Sequence, residues 1–333
     1  MSPCLLVSWL ALGVLVLILA LLPLPTLALV SGLALAVALP LVDPIFGLYL
    51  VVLSVPVQEL IHLPGGLSYT QAAMLLAVFG WALRGLAHPE RRLRTGGWLF
   101  PLWAGFLWAL LLAAALSPYS RAEGIKETLR WFEAFLVWLM AINLARRRWQ
   151  IVGLIACLLL APAAEAALGL AQFAAGWGPA SFRIAPELPF MRAYGTIGQP
   201  NSFAGYLNMA WPLALALAVG ATVAFWRRDQ RQTVSERGGD GATGRRGDNS
   251  SPRHPITPSP CHLVICALTL WMTTALLLAG LVASLSRGAW VGAAAGALAM
   301  ALALGPRARH WALAGVGIAA LALALGGAGL LPG

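Results

Sequence analysis

Two arginines stand where the chain is expected to enter a helix, each within a short stretch of small and polar residues. The first stretch reads RAYGTIGQPN from Arg192 to Asn201, and the second reads SLSRGA from Ser284 to Ala289. Arginine binds phosphate oxygens in pairs through its planar fork, and a helix N-terminus favours an anion. We therefore expect Arg192 and Arg287 to hold a phosphate or diphosphate between them.

Neutral hydrogen-bonding side chains accompany both arginines. They are Tyr194, Gln199, Asn201, Ser284 and Ser286. We expect them to shape the anion site, and Pro200 predicts a helix start there with Asn201 or Ser202 as its cap. The alternative for any arginine at a helix end is that it extends its charge to lipid head groups, which we expect for Arg121 and Arg183.

Long apolar runs must position these motifs. Arg287 is the one charged residue between Leu263 and Gly305, a stretch long enough for two membrane spans of about 20 residues each. The small and hydroxylated residues around it therefore predict a hairpin turn between two membrane helices.

Composition places the whole chain among the helical membrane proteins. Of its 333 residues, 60% are hydrophobic and 10% are charged, and the mean hydropathy is +0.80. A soluble domain carries about 25% charged residues. The apolar runs are continuous, whereas β-barrel strands alternate. We predict an all-α polytopic transmembrane bundle with no soluble domain.

Apolar runs and their punctuation predict about eleven helices. They cover residues 4–22, 25–42, 44–57, 70–86, 98–116, 128–145, 150–172, 201–226, 263–283, 289–305 and 311–331. The first lacks a basic segment before it and a cleavage site after it, which predicts a retained helix. The predicted regions are membrane helices in 1–226, a disordered polar loop at 227–262, and further membrane helices in 263–333.

The basic residues predict the orientation of the chain. If the helices alternate, sixteen of the 22 Lys and Arg fall on one side. Cytoplasmic loops are enriched in these residues, which predicts a cytoplasmic N-terminus in the cytoplasmic (inner) membrane. Both motifs and the loop at 173–200 then lie on the external or periplasmic face. Because the basic residues are split among loops, the net charge of +10 does not indicate nucleic-acid binding.

Other titratable residues give weaker signals. Glu165, inside the seventh predicted helix, is either neutral and hydrogen-bonded or exposed to a cavity, and both interpretations stay open. Cys261, His262 and Cys266 lack a fourth ligand and an acidic partner, so no metal site is predicted.

At the two motifs the chain resembles the O-antigen ligase and polymerase superfamily of bacterial membrane glycosyltransferases. The family pattern is an arginine, then Gly-Asn/His-Pro-Asn at a helix start, and later Ser-x-Ser-Arg-Gly. The matching residues are Arg192, the run from Gly198 to Asn201, and the run from Ser284 to Gly288.

The resemblance implies a bundle of about twelve helices that moves a glycan from an undecaprenyl diphosphate carrier to a sugar hydroxyl, without metal, nucleotide or other cofactor. The acceptor would be lipid A-core or another glycan. It further implies that Arg192 and Arg287 hold the carrier diphosphate and stabilise charge on the leaving group. Gln199 and Asn201 would shape that site.

One family feature has no counterpart in the sequence. Family members carry a histidine, proposed as the base for the acceptor hydroxyl, in a large external loop after these helices. Here His62 is the only histidine on the predicted external side. We expect a chain cut before that loop, completion by a second chain, or no catalysis; Glu187 is a candidate substitute base.

Two other functions remain open. Paired arginines would also bind bicarbonate or another anion in a transporter, although the sequence shows no inverted repeat. The chain could instead be a non-catalytic membrane component of a glycan-export system.

Overall fold

The computed structural model describes residues 24–58, 60, 67–90, 92–118, 120–184, 190–238 and 260–304. Within these residues the fold is helical, with nine α-helices and no β-strand. The helices are α1 (Leu24–Val42), α2 (Pro44–Ser54), α3 (Tyr69–Ala87), α4 (Leu99–Leu116), α5 (Arg121–Leu144), α6 (Arg148–Ala175), α7 (Pro200–Gly238), α8 (Pro260–Ala283) and α9 (Arg287–Leu304). Single 3₁₀ turns lie at Val55–Val57 and Ala180–Phe182. The predicted all-α class is confirmed.

Five described segments are long and apolar enough to cross a membrane. They are Tyr69–Ala87, Leu99–Leu116, Arg148–Ala175, Pro200–Arg228 and His262–Ala283. Most residues in each segment are not buried within the protein, as expected when lipid covers an apolar surface. The protein is therefore a membrane protein. The predicted helices at 4–22 and 311–331 lie outside the described residues, so the count of eleven stays a prediction.

Two helices begin or end differently from the prediction. Helix α5 begins at Arg121 rather than 128, because Ser120 caps it by accepting from the N–H of Glu123 at 3.3 Å. Its charged first turns pair along the helix, Lys126 with Glu123 at 2.7 Å, so they need no apolar partner. The Lys126 bond and charge lower the pKa of the Glu123 carboxyl.

Helix α7 also corrects the prediction, because it continues to Gly238 instead of ending at 226. Helix α8 begins at Pro260. The segment 227–262, predicted to be disordered, is therefore helical at both ends, and its middle lies outside the described residues.

The chain divides into two compact units, Met1–Cys157 and Leu158–Gly333. The boundary falls inside α6. The division at the polar segment 227–262 stays a prediction. The part of α6 around Cys157 contains only apolar residues. No polar or charged residue there indicates a boundary between two units.

Close contact between small residues characterises the first unit. Ile45 and Leu48 of α2 are buried against Met140 of α5. A Cβ at Gly47 would lie 2.7 Å from the Ala77 Cβ, so the backbones of α2 and α3 approach closely. Small residues allow such packing in membrane helices, where burial of apolar surface alone drives little association.

The second unit has a core between α7 and α8. Phe203 and Leu207 of α7 and Leu277 of α8 are fully buried. A Cβ at Gly280 would lie 3.0 Å from the Ala166 Cβ, which brings the second half of α6 against α8. These three helices form the frame on which both sequence motifs are held.

Candidate functional site

The two predicted motifs meet in the second unit. The Nε of Arg192 donates to the backbone carbonyl of Ser284 at 2.9 Å, across 92 positions of sequence. Next to it, the N–H of Ala193 donates to the carbonyl of Ala283 at 3.0 Å. The RAYGTIGQPN segment is therefore bonded directly to the SLSRGA turn.

The guanidinium of Arg192 is held from a second side. One Nη atom donates to Oδ1 of Asn201 at 3.2 Å, and the backbone N–H of Arg192 donates to the carbonyl of Phe182 at 2.9 Å. The side chain is half-buried, and the guanidinium carries further N–H donors that these bonds leave free. Arg192 is thus fixed in orientation and still able to bind an anion.

A bonded turn carries the second motif. The Ser284 hydroxyl donates to the carbonyl of Leu281 at 2.6 Å and accepts from the N–H of Ser286 at 3.2 Å. Leu285 has φ of +52°, a left-handed conformation that ends α8 and redirects the chain. Ser284 is fully buried and Ser286 is 6% exposed. Both predicted serines therefore shape the turn from inside it.

Arg287 is the first residue of α9. The carbonyl of Ser286 accepts from the N–H of Trp290 at 3.1 Å, which makes Ser286 the cap residue of this helix. The side chain of Arg287 is exposed. Among the described residues it has no hydrogen-bond or ion-pair partner, so its guanidinium is available to a ligand.

The helix start near Arg192 differs from the prediction in detail. Helix α7 begins at Pro200, and the carbonyl of Gln199 accepts from the N–H of Phe203 at 2.9 Å. Gln199 is therefore the cap residue, rather than Asn201 or Ser202, because proline suits the first helical position. Its side-chain oxygen accepts from the Ser202 hydroxyl at 2.8 Å. Gln199 and Asn201 are both exposed beside the site.

Two side chains of α6 form hydrogen bonds to Gly195 and Thr196, which lie in the loop between Arg192 and the start of α7. Oε2 and Oε1 of Glu165 accept from the N–H and hydroxyl of Thr196 at 2.8 and 2.6 Å. Gln172 accepts from the N–H of Gly195 at 2.8 Å and donates to its carbonyl at 3.1 Å. Both side chains are over 90% buried. Glu165 is therefore a hydrogen-bonded support of the loop.

Sequence reasoning missed Gln172. Its position, two helical turns after Glu165, places both on one face of α6, and that spacing was the available signal. Tyr194, in contrast, was predicted and lies next to this support, where its ring packs on Phe182 with centroids 5.3 Å apart. The Tyr194 hydroxyl has no hydrogen-bond partner among the described residues.

The other residues that the sequence suggested for catalysis or metal binding are either outside the described residues or not part of the site. Glu187 and His62 lie outside the described residues. Among the described residues, no group of three or more His, Cys, Asp or Glu side chains is placed to hold a metal ion. Cys266 is a free, exposed thiol. The site is thus built from two arginines, neutral hydrogen-bonding groups and one buried carboxyl group.

Comparison with protein-family models, characterised proteins and solved structures finds no match for this chain.

Proposed function

We propose that this protein transfers a glycan from an undecaprenyl diphosphate carrier to an acceptor sugar hydroxyl, in the manner of the O-antigen ligases and polymerases. The proposal depends on the 2.9 Å hydrogen bond from Nε of Arg192 to the carbonyl of Ser284. Ser284 lies three positions before Arg287. Two sequence motifs that lie far apart in the chain therefore contribute to one small polar region.

The arrangement of the two arginines suits a leaving diphosphate. Arg192 is fixed by Ser284 and Asn201, so it does not need to reorganise when negative charge develops on the leaving oxygen. Arg287 has no competing carboxylate among the described residues and stands at the N-terminus of α9, whose dipole adds to its charge. Charge-assisted bonds of this kind are about twice as strong as neutral ones.

The proposal includes the orientation of the chain. The apolar runs of the sequence support about eleven helices. The distribution of Lys and Arg among the loops supports a cytoplasmic N-terminus and an external or periplasmic site in the cytoplasmic membrane. The apolar helices support the membrane location in general.

The base that accepts the proton of the acceptor hydroxyl is not assigned. Glu165 is buried and already accepts two hydrogen bonds from Thr196, which makes it a poor candidate. Glu187 and His62 remain sequence-based candidates.

The decisive experiment uses Arg287→Ala. Because this side chain is exposed and unpaired among the described residues, its removal should leave stability unchanged while weakening carrier binding by about 10- to 100-fold, the value of one or two charged hydrogen bonds. In cells that carry only the variant chain, we expect undecaprenyl-linked glycan to accumulate. Arg183→Ala is the matched control, an exposed arginine of the same unit outside both motifs.

Arg192→Ala should produce the same accumulation together with lower thermal stability, because the bonds to Ser284 and Asn201 are lost. Normal glycan transfer in both variants would refute the proposal. Loss of bicarbonate uptake into proteoliposomes in the same variants, with unchanged glycan transfer, would favour an anion transporter.

A further inference from the structure

A second basic region lies in the first unit, where the loop after α3 meets the loop between α5 and α6. It is a cavity of about 610 Å³. Four arginines line it, Arg84, Arg92, Arg146 and Arg147. The loops come together from positions about sixty residues apart, so the cavity is produced by the fold and not by one basic run of sequence.

The positive charge of this cavity is largely uncompensated. Arg84 forms an ion pair with Asp43, whereas no carboxylate of the described residues pairs with Arg92, Arg146 or Arg147. No Asp or Glu is among the lining residues. Like charges held close together repel each other, which an anionic ligand would relieve.

Two buried amides fix the walls. Asn143, 7% exposed, accepts from the N–H of Arg94 at 2.8 Å and donates to its carbonyl at 2.9 Å. Gln150, 6% exposed, accepts from the N–H groups of Arg146 and Arg147 at 3.1 and 2.8 Å. The backbones of Arg146 and Arg147, and that of Arg94 two residues after Arg92, are therefore held in place before any ligand arrives. Such preorganisation lowers the entropic cost of binding.

The lining also has an apolar part. Val78, Trp81, Leu93 and Leu144 contribute to it beside the arginines. Guanidinium groups next to apolar side chains match a phosphate joined to a hydrophobic body, and basic pockets between membrane helices bind anionic lipid head groups. On the predicted topology these loops are cytoplasmic, the side on which anionic lipids give the membrane surface its negative potential.

We propose that this cavity binds a phosphate group, supplied either by an anionic phospholipid head group or by a soluble phosphate compound. Arg92 and Arg147 are the principal ligands, because both are exposed and neither has a side-chain partner among the described residues. Arg146 contributes a third guanidinium, which also donates weakly to Oδ1 of Asn143 at 3.4 Å.

The test measures binding by the purified full chain in neutral detergent. Short-chain phosphatidylglycerol, short-chain phosphatidylcholine and inorganic pyrophosphate are titrated separately and followed by native mass spectrometry. For Arg92→Ala/Arg147→Ala we expect the Kd of the bound anion to rise about 30-fold, because two charge-assisted contacts to the phosphate are lost. Arg92→Lys/Arg147→Lys should have an intermediate Kd, because the charge remains but the planar fork is lost.

The control is Arg121→Ala/Arg183→Ala, which removes the same charge at exposed positions outside the cavity. These two arginines are expected to meet head groups only at a bilayer surface, so in neutral detergent the control should bind like wild type. Binding of phosphatidylglycerol that pyrophosphate does not displace identifies the lipid as the source. Tight binding of pyrophosphate with the same dependence on Arg92 and Arg147 identifies a soluble phosphate. If wild type binds neither anion better than phosphatidylcholine, or if the control pair loses as much affinity, the cavity is not a phosphate site.

Discussion

Replacing Gly195 by alanine tests how the candidate site is held together. Gly195 has φ of +61°, a conformation that costs an L-residue about 1–2 kcal/mol. An added Cβ would also lie 2.0 Å from Oε2 of Glu165 and 2.8 Å from the ring of Phe203. Because Glu165 is only 4% exposed, its carboxyl group cannot turn into solvent to relieve the contact.

The magnitude follows from the bonds that must break. Displacing the Glu165 carboxyl separates it from Thr196, and a buried polar group left unpaired costs about 1–3 kcal/mol. Together with the backbone cost, we expect Gly195→Ala to lower the free energy of unfolding by about 2–5 kcal/mol.

Gly198→Ala is the matched control. Gly198 has φ of +78°, but no atom lies within 4 Å of the position that its Cβ would take. Only the backbone cost of about 1–2 kcal/mol should appear. Reversible unfolding of the purified chain in mixed micelles, followed by circular dichroism, measures both variants. Equal losses at the two glycines would refute the role assigned to Glu165. In a Glu165→Ala background the added loss from Gly195→Ala should be smaller, because one of the two close contacts is gone.

Two further stability predictions concern polar side chains in each unit. Gln172→Leu leaves the N–H and carbonyl of Gly195 without their partner, and we expect the same unfolding assay to show a loss of about 2–4 kcal/mol; wild-type stability would contradict that role. Asp43→Asn keeps a cap for α2 but loses the ion pair to Arg84, a loss of about 0.5–1 kcal/mol because both side chains are partly exposed. Asp43→Ala should lose about 1 kcal/mol more, and equal losses in the two variants would show that Asp43 does not cap the helix.

The helices were the most predictable part of the fold. Continuous apolar runs between polar turns predicted seven of the nine described helices to within about three residues at each end, because a membrane helix must satisfy its own backbone and expose an apolar surface. The predicted helix ends were wrong where a helix contains charged or polar residues. The first turns of α5 pair their charges locally, and α7 continues beyond its apolar part to Gly238.

The sequence indicated the two arginines of the candidate site, but it did not indicate which side chains hold the loop beside them. Arginine beside a polar turn predicted a shared site for Arg192 and Arg287, and the bond from Arg192 to Ser284 connects the two turns. Anion binding by the two arginines stays a prediction. The role of Gln172 depends on a loop more than twenty residues later in the chain. Its spacing from Glu165 indicates a shared helix face but does not indicate that partner. The same limit applied to Glu165, whose partner Thr196 decides between its two interpretations.

The main-chain bond from Ala193 to Ala283 has an evolutionary consequence. Such a bond does not depend on which side chains the two residues carry, and both sites require only small volume, at 0% and 5% exposure. We expect related sequences to interchange alanine, serine and glycine freely at 193 and 283. Substitution at Gly195, in contrast, should occur together with a shorter side chain at Glu165, so the two columns should covary in an alignment of homologues.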